Sequence, residues 1–264
     1  MYRAVALAVV LAGIQTIPVV GLDGLTAGSR PEAAQGQPTD SLPTPCLRIL
    51  KVIDVTDGAT PYIMPGWSKD GMELGFYSED WHTLYARKAD GTGPIRELCA
   101  AEHTRFRFPS SKDSGDVRIR IDYRTRKMWI IERDGTTLIE FPHQVTVARL
   151  SPQRNRVAFG QADPNLYVSR LDGSSMVNLG HGSQWDWSPD GERLAYVSAI
   201  EQDEWDVIAA DIFVGNADGS NVTQLTHTLN EVEEYPTWSP GGLRIAYSGW
   251  KTGKIYVAIL EELK

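Results

Sequence analysis

Short apolar runs alternate with clusters of turn residues along most of the chain. Residues 72–78, 156–160, 192–198 and 243–248 read as strands, and a second set follows at 83–88, 127–132, 166–170, 212–216 and 255–260. Runs such as Leu194-Ala195-Tyr196-Val197 are apolar at every position. A sheet with one face in water would alternate apolar and polar residues, so these strands are predicted to be covered on both faces. Residues 47–55, Leu-Arg-Ile-Leu-Lys-Val-Ile-Asp-Val, form one more strand with no partner before it.

The turns repeat. Trp67-Ser68-Lys69-Asp70-Gly71 returns as Trp187-Ser188-Pro189-Asp190-Gly191 and as Trp238-Ser239-Pro240-Gly241-Gly242. Leu150-Ser151-Pro152-Gln153-Arg154 is a worn copy. Proline fixes φ at the first turn position, aspartate bonds its own backbone and glycine takes a positive φ, so each copy reverses the chain between two strands. Asp-Gly pairs at Asp90, Asp134, Asp172 and Asp218 close the next hairpin of each unit. A tryptophan at each turn is large enough to wedge between neighbouring sheets. A period of about forty residues with four strands per unit is the sequence signature of a propeller.

Ser188-Pro189-Asp190-Gly191, Leu194-Ala195-Tyr196, Asp211-Ile212-Phe213-Val214, Ala217-Asp218-Gly219-Ser220 and Gln224-Leu225-Thr226 resemble the TolB-type, WD-like β-propeller repeat. Glu234-Tyr235-Pro236-Thr237-Trp238 opens the next copy in the same style. The resemblance runs from about residue 47 to the end of the chain. It is specific in the last two repeats and weakest in the second, where only residues 127–135 hold the pattern. It implies an all-β propeller of four-stranded antiparallel blades, commonly bacterial and exported, used for protein contacts and tied to no single activity. Five blades are expected, with residues 47–55 completing the last one and removing its exposed edge. Six blades are the alternative, with residues 47–65 forming part of another.

The first residues change the picture from a bare domain to an exported one. Arg3 and the apolar run 4–14 read as a signal peptide over residues 1–27, with Ala27 as one cleavage point. A retained anchor is the alternative, and membrane association is expected only in that case; Gln15, Thr16 and Pro18 interrupt the run. Residues 28–45 carry almost no large apolar side chains and read as a flexible linker, leaving 46–264 as the propeller domain. In an oxidising compartment Cys46 and Cys99 are candidates for a disulfide, two free buried thiols being the alternative. The net charge of −8 argues against generic nucleic-acid binding. Within it, residues 105–133 hold nine basic and four acidic residues, and residues 201–234 hold nine acidic and no basic ones. Such polarity can steer an oppositely charged partner.

Catalytic motifs are missing from this sequence: it has no Gly-x-Ser-x-Gly elbow, phosphate loop or His-Glu-x-x-His helix. His82, His103, His143, His181 and His227 occupy different places in the repeat and read as turn or surface residues, so no metal or cofactor is expected. Residues 199–210 read as a long loop that sets Trp205 among carboxylates. The segments before the turn tryptophans are predicted to be the innermost strands, beside the axis. They carry Gln184-Trp185-Asp186 and Glu233-Glu234-Tyr235, so Trp185, Asp186, Glu234 and Tyr235 are the candidate binding residues, expected at equivalent positions of successive blades. The reading is an exported, non-enzymatic scaffold that takes a protein or peptide partner with a cationic or polar segment. The alternative is a hydrolase or lyase with its site in the central funnel.

Overall fold

The computed structural model describes residues 47–108, 117–132, 135, 137–141, 145–161, 163–202 and 207–263. The signal peptide, the linker and Cys46 therefore lie outside the described residues, and so does Trp205. The leading strand β1 spans Leu47–Asp54. Sheet 1 follows with β2 (Tyr62–Ser68), β3 (Glu73–Ser78), β4 (Leu84–Lys88) and β5 (Arg96–Glu97), then a 3₁₀ turn over Ala100–Arg105 and β6 (Phe106–Arg107). Sheet 2 has β7 (Val117–Asp122), β8 (Lys127–Glu132) and β9 (Thr137–Phe141). Sheet 3 has β10 (Val147–Leu150), β11 (Arg156–Gly160), β12 (Asn165–Arg170) and β13 (Val177–His181). Sheet 4 has β14 (Ser183–Trp187), β15 (Arg193–Gln202), β16 (Val207–Asn216) and β17 (Thr223–Gln224). Sheet 5 has β18 (Glu233–Trp238), β19 (Arg244–Gly249) and β20 (Ile255–Glu262).

All the strand pairs within these sheets are antiparallel, and β1 adds to sheet 5 beside β20, from Leu47 opposite Glu262 to Asp54 opposite Tyr256. The segment predicted to be a loop at 199–210 is instead the upper half of the β15–β16 hairpin on both sides of residues 203–206. Val207 and Ile208 favour a strand, and Ala209 and Ala210 continue the ladder opposite Glu201 and Ala199.

The turn chemistry is repeated atom for atom. In sheet 1, Ser68 Oγ donates to Asp70 Oδ1 at 2.7 Å, Met72 N donates to the same oxygen at 3.0 Å, and Glu73 N donates to Ser68 Oγ at 2.9 Å. Ser188, Asp190, Glu192 and Arg193 make the same set in sheet 4. The Met72 amide, then the Ser68 hydroxyl, holds the Asp70 carboxyl below the usual range. At the fifth position Gly71, Gly191 and Gly242 have φ of 70°, 67° and 73°, and the worn copy forces Arg154 to 54°.

Apolar clusters join the sheets in sequence. Trp238, Ile245 and Tyr247 pack on Ala195, Ile212 and Val214, joining sheets 5 and 4. Trp187 and Tyr196 pack on Ala158 and Val168, joining 4 and 3. Met128 and Ile130 pack on Val157 and Phe159, joining 2 and 3. Trp67 and Phe76 pack on Ala246 and Val257, joining 1 and 5. The turn tryptophans are buried wedges: Trp67 Nε1 donates to Thr237 O of sheet 5 at 3.0 Å, and Trp187 Nε1 to Arg149 O of sheet 3 at 3.3 Å.

Among the described residues no apolar cluster joins sheets 1 and 2. The face of sheet 1 turned away from sheet 5 is covered by its own outgoing connection, where Leu98, Phe106 and Phe108 pack on Ile63, Met64, Leu84 and Ala86. Strand β6 pairs with the free edge of β2 at Trp67 and Ser68. Glycine makes this possible: a Cβ at Gly66 would lie 2.6 Å from the Phe108 ring and 2.7 Å from Arg107 O, and one at Gly75 would lie 2.8 Å from the Phe106 ring. Strand β7 of sheet 2, which the sequence reading did not include, alternates, with Arg118 and Arg120 exposed and Ile119 and Ile121 turned to the core.

Candidate functional site

The leading strands of sheets 4, 5 and 1 pack side by side, and they share one irregularity. Each carries a bulge, at Ile63/Gly66 in β2, Ser183/Asp186 in β14 and Glu234/Thr237 in β18. In each the residue three before the turn tryptophan is left-handed: Met64 at 52°, Gln184 at 46° and Tyr235 at 54°. A side chain held there costs on the order of 1–3 kcal/mol, and a bulge re-aims it. The repeat therefore makes Gln184 the counterpart of Tyr235, and Asp186 the counterpart of Thr237. The four sequence candidates lie at different levels of the leading strands, not at equivalent ones.

Asp186 is a buried node. Arg107 grips it with both guanidinium nitrogens, Nη1 to Oδ2 at 3.0 Å and Nη2 to Oδ1 at 2.8 Å. Oδ2 also accepts Trp238 N at 2.9 Å and Thr237 Oγ1 at 3.2 Å. One carboxylate thus ties sheet 4, sheet 5 and the connection after sheet 1, with its charge met inside the chain. Trp185 is likewise buried. Arg149 lies 5.8 Å from its ring centroid and donates to its carbonyl, and its Nε1 has no acceptor among the described residues.

Glu234 and Tyr235 form a different environment. Gln184 clasps both: its Nε2 donates to Glu234 Oε1 at 3.3 Å and its Oε1 accepts Tyr235 N at 2.7 Å. Burial, and then the Glu231 carboxylate, push Glu234 up to about 7 against the pull of the Gln184 amide. Glu233 is also pushed up to about 7, by burial and by Asp211, although Thr226, Thr228 and Ile212 N–H all donate to it. Burial and the adjacent Glu234 raise the Tyr235 hydroxyl.

Sequence reasoning missed the partner of Tyr235. Trp81, at the β3–β4 turn, meets the Tyr235 ring edge-on with centroids 6.0 Å apart, and Tyr77 joins Trp81 to Phe108 at 6.0 and 5.1 Å. Trp81 is 41% exposed and is itself left-handed at 64°. The signal was a tryptophan in a hairpin turn, Ser78-Glu79-Asp80-Trp81-His82, whose hydrogen bonds run through Ser78, Asp80 and His82 and need no indole. The assembly offers the exposed Trp81 ring and the half-buried Tyr235 ring to a cation or a peptide, with the Glu234 carboxyl buried behind them. Cys99 is exposed at the start of the 3₁₀ turn, and its pairing with Cys46 lies outside the described residues.

No protein-family model and no curated protein sequence matches the chain. Its fold is similar to solved β-propellers of the TolB and WD40 kinds. A TolB from Agrobacterium tumefaciens is 16% identical over 78% of each chain, with a TM-score of 0.37. The tricorn protease is 13% identical over 80% of this chain and 20% of its own, with a TM-score of 0.44. The β-propeller domain of Cps50 (Swd1) from Myceliophteria thermophila is 12% identical over 72% of this chain and 77% of its own, with a TM-score of 0.42.

Proposed function

We propose that the chain is an exported, five-bladed propeller scaffold that works by binding another protein where Trp81 and Tyr235 meet at one mouth of the axis. The observation that carries this is the pair itself. Two large aromatic side chains from different sheets are brought together on left-handed backbone, one of them well exposed. At Tyr235 this conformation belongs to the bulge that the leading strands share, while at Trp81 it lies outside that pattern, and strain of this kind persists where surrounding structure enforces it. Exposed tryptophan and tyrosine are the side chains that dominate protein interfaces. The faces of the two rings favour a cationic or polar segment of the partner. Export is supported by Arg3 and the apolar run 4–14, and a ring by the addition of β1 to sheet 5.

The test is affinity capture from the envelope fraction of the source organism with the mature chain as bait, wild type against Trp81→Ala. A discrete partner retained by the wild type and lost by the variant is the expected result; identical captures would defeat the reading. A second reading, a hydrolase or lyase, is favoured by the two glutamates near neutrality, since a general acid or base works best there. It is the weaker one because three donors of the chain itself already engage the Glu233 carboxylate. Turnover of a peptide or ester panel that is lost in Glu234→Gln would favour it.

A further inference from the structure

We propose that the solvated face of sheet 2 is a second docking surface, and that it takes an extended acidic segment of a partner protein. Sheet 2 buries one face, with Met128 and Ile130 against sheet 3. The other face presents Arg118, Arg120, Lys127 and Trp129, with the exposed Tyr123 and Arg124 at the adjoining turn. Neighbouring sheets in this fold cover one another, yet no apolar cluster among the described residues joins this face to sheet 1. The face that sheet 1 turns away from sheet 5 is already filled by Leu98, Phe106 and Phe108.

The charges on this surface are unbalanced. Its acids are engaged: Glu140 takes Lys127 Nζ at 2.6 Å and the Trp129 indole, and Asp122 accepts the Arg124 amide at 2.8 Å within the turn. Arg118 and Arg120 form no ion pair among the described residues, and Arg120 lies 5.9 Å from the Trp129 ring centroid. Two arginines two residues apart on one strand face stand about 7 Å apart. That spacing matches carboxylates at alternate positions of an extended peptide, and a guanidinium grips a carboxylate with two parallel hydrogen bonds. Arginine with tryptophan and tyrosine is the composition of interface cores. A long polyanion is the less favoured occupant, because the chain as a whole carries a net charge of −8.

Two synthetic decapeptides test this on the full chain by calorimetric titration. One alternates glutamate with threonine, and the other has the same composition with its glutamates in one block. The alternating peptide should bind about tenfold more tightly than the blocked one, and more weakly as salt rises. Arg118→Gln with Arg120→Gln should lower its affinity by about tenfold or more at an unchanged melting temperature, since both side chains are exposed. Lys51→Gln, on β1, should change nothing. Equal binding of the two peptides, or undiminished binding by the double variant, overturns the proposal. So does binding of heparin or of phosphatidylglycerol vesicles when neither peptide binds. These residues are separate from Trp81 and Tyr235, so the two sites can fail independently.

Discussion

At the scale of single residues, the side chains that build the repeat and those that line its candidate site answer to different physics. Trp187 and Trp238 fill the seams between sheets, and removing a buried tryptophan leaves a cavity. Trp187→Ala and Trp238→Ala should each cost about 3–5 kcal/mol by chemical denaturation. A loss below about 1 kcal/mol would mean that the seams repack or that the rings are not wedges. Glu233 and Glu234 make a pH prediction. Their carboxyls sit near 7 in the fold against about 4.5 when free, so the fold holds their protons while the unfolded chain gives them up. Their contribution is fully present below about pH 4.5 and is lost as pH rises to about 7, on the order of 3 kcal/mol per group. Melting temperature should therefore fall across that window, from these groups, and level off above it. Glu234→Gln should flatten the fall and be at least as stable as the wild type at pH 8. Asp186→Asn is a different substitution. It breaks a buried, doubly held carboxylate and should cost on the order of 2–4 kcal/mol, the half-exposed Arg107 moderating the loss.

At the scale of elements, the glycines of sheet 1 set what can lie against it. A methyl at Gly66 meets a backbone carbonyl as well as a ring, and neither can swing away. Gly66→Ala should push β6 off the edge of β2 and cost on the order of 1–3 kcal/mol, measured by denaturation. Loss of protection at the Phe106 and Arg107 amides in hydrogen exchange would show which contact gave way. The turns and most strands could be read from the sequence because Ser-Pro-Asp-Gly and Asp-Gly have local hydrogen-bond reasons to bend. Strand β6 could not, because two residues have no period. Its trace was indirect: Gly75 stands where the other sheets have Ala195 and Ala246, and a missing methyl means a close neighbour. Sheet 2 was read from the sequence only over residues 127–135, although Val117 to Asp122 alternates strictly and alternation says that one face is wet. The pair Trp81–Tyr235 was half legible, since Tyr235 lay in a recognised strand, but no local rule brings a turn of sheet 1 to sheet 5.

At the scale of the whole molecule, the integrity of sheet 5 depends on chain drawn from far away in sequence. Val55 N donates to Ile255 O at 2.8 Å and Ile255 N to Thr56 Oγ1 at 2.9 Å, so the tie extends past β1 itself. Deleting residues 1–45 should leave a cooperative melting transition, and deleting residues 1–56 should abolish it, as followed by circular dichroism. Equal transitions in both would mean that sheet 5 stands without β1. The same pairing brings Leu47 and Glu262 opposite each other, about 5 Å apart between Cα atoms. The order in which the sheets are threaded is therefore a matter of convenience rather than of stability. A circular permutant, with residue 262 joined to residue 47 through a few glycines and new ends opened between Phe108 and Val117, would cut where no apolar cluster among the described residues crosses and keep every sheet whole. It should melt within a few degrees of the parent, and a collapse of its transition would show that the passage from sheet 1 to sheet 2 bears weight.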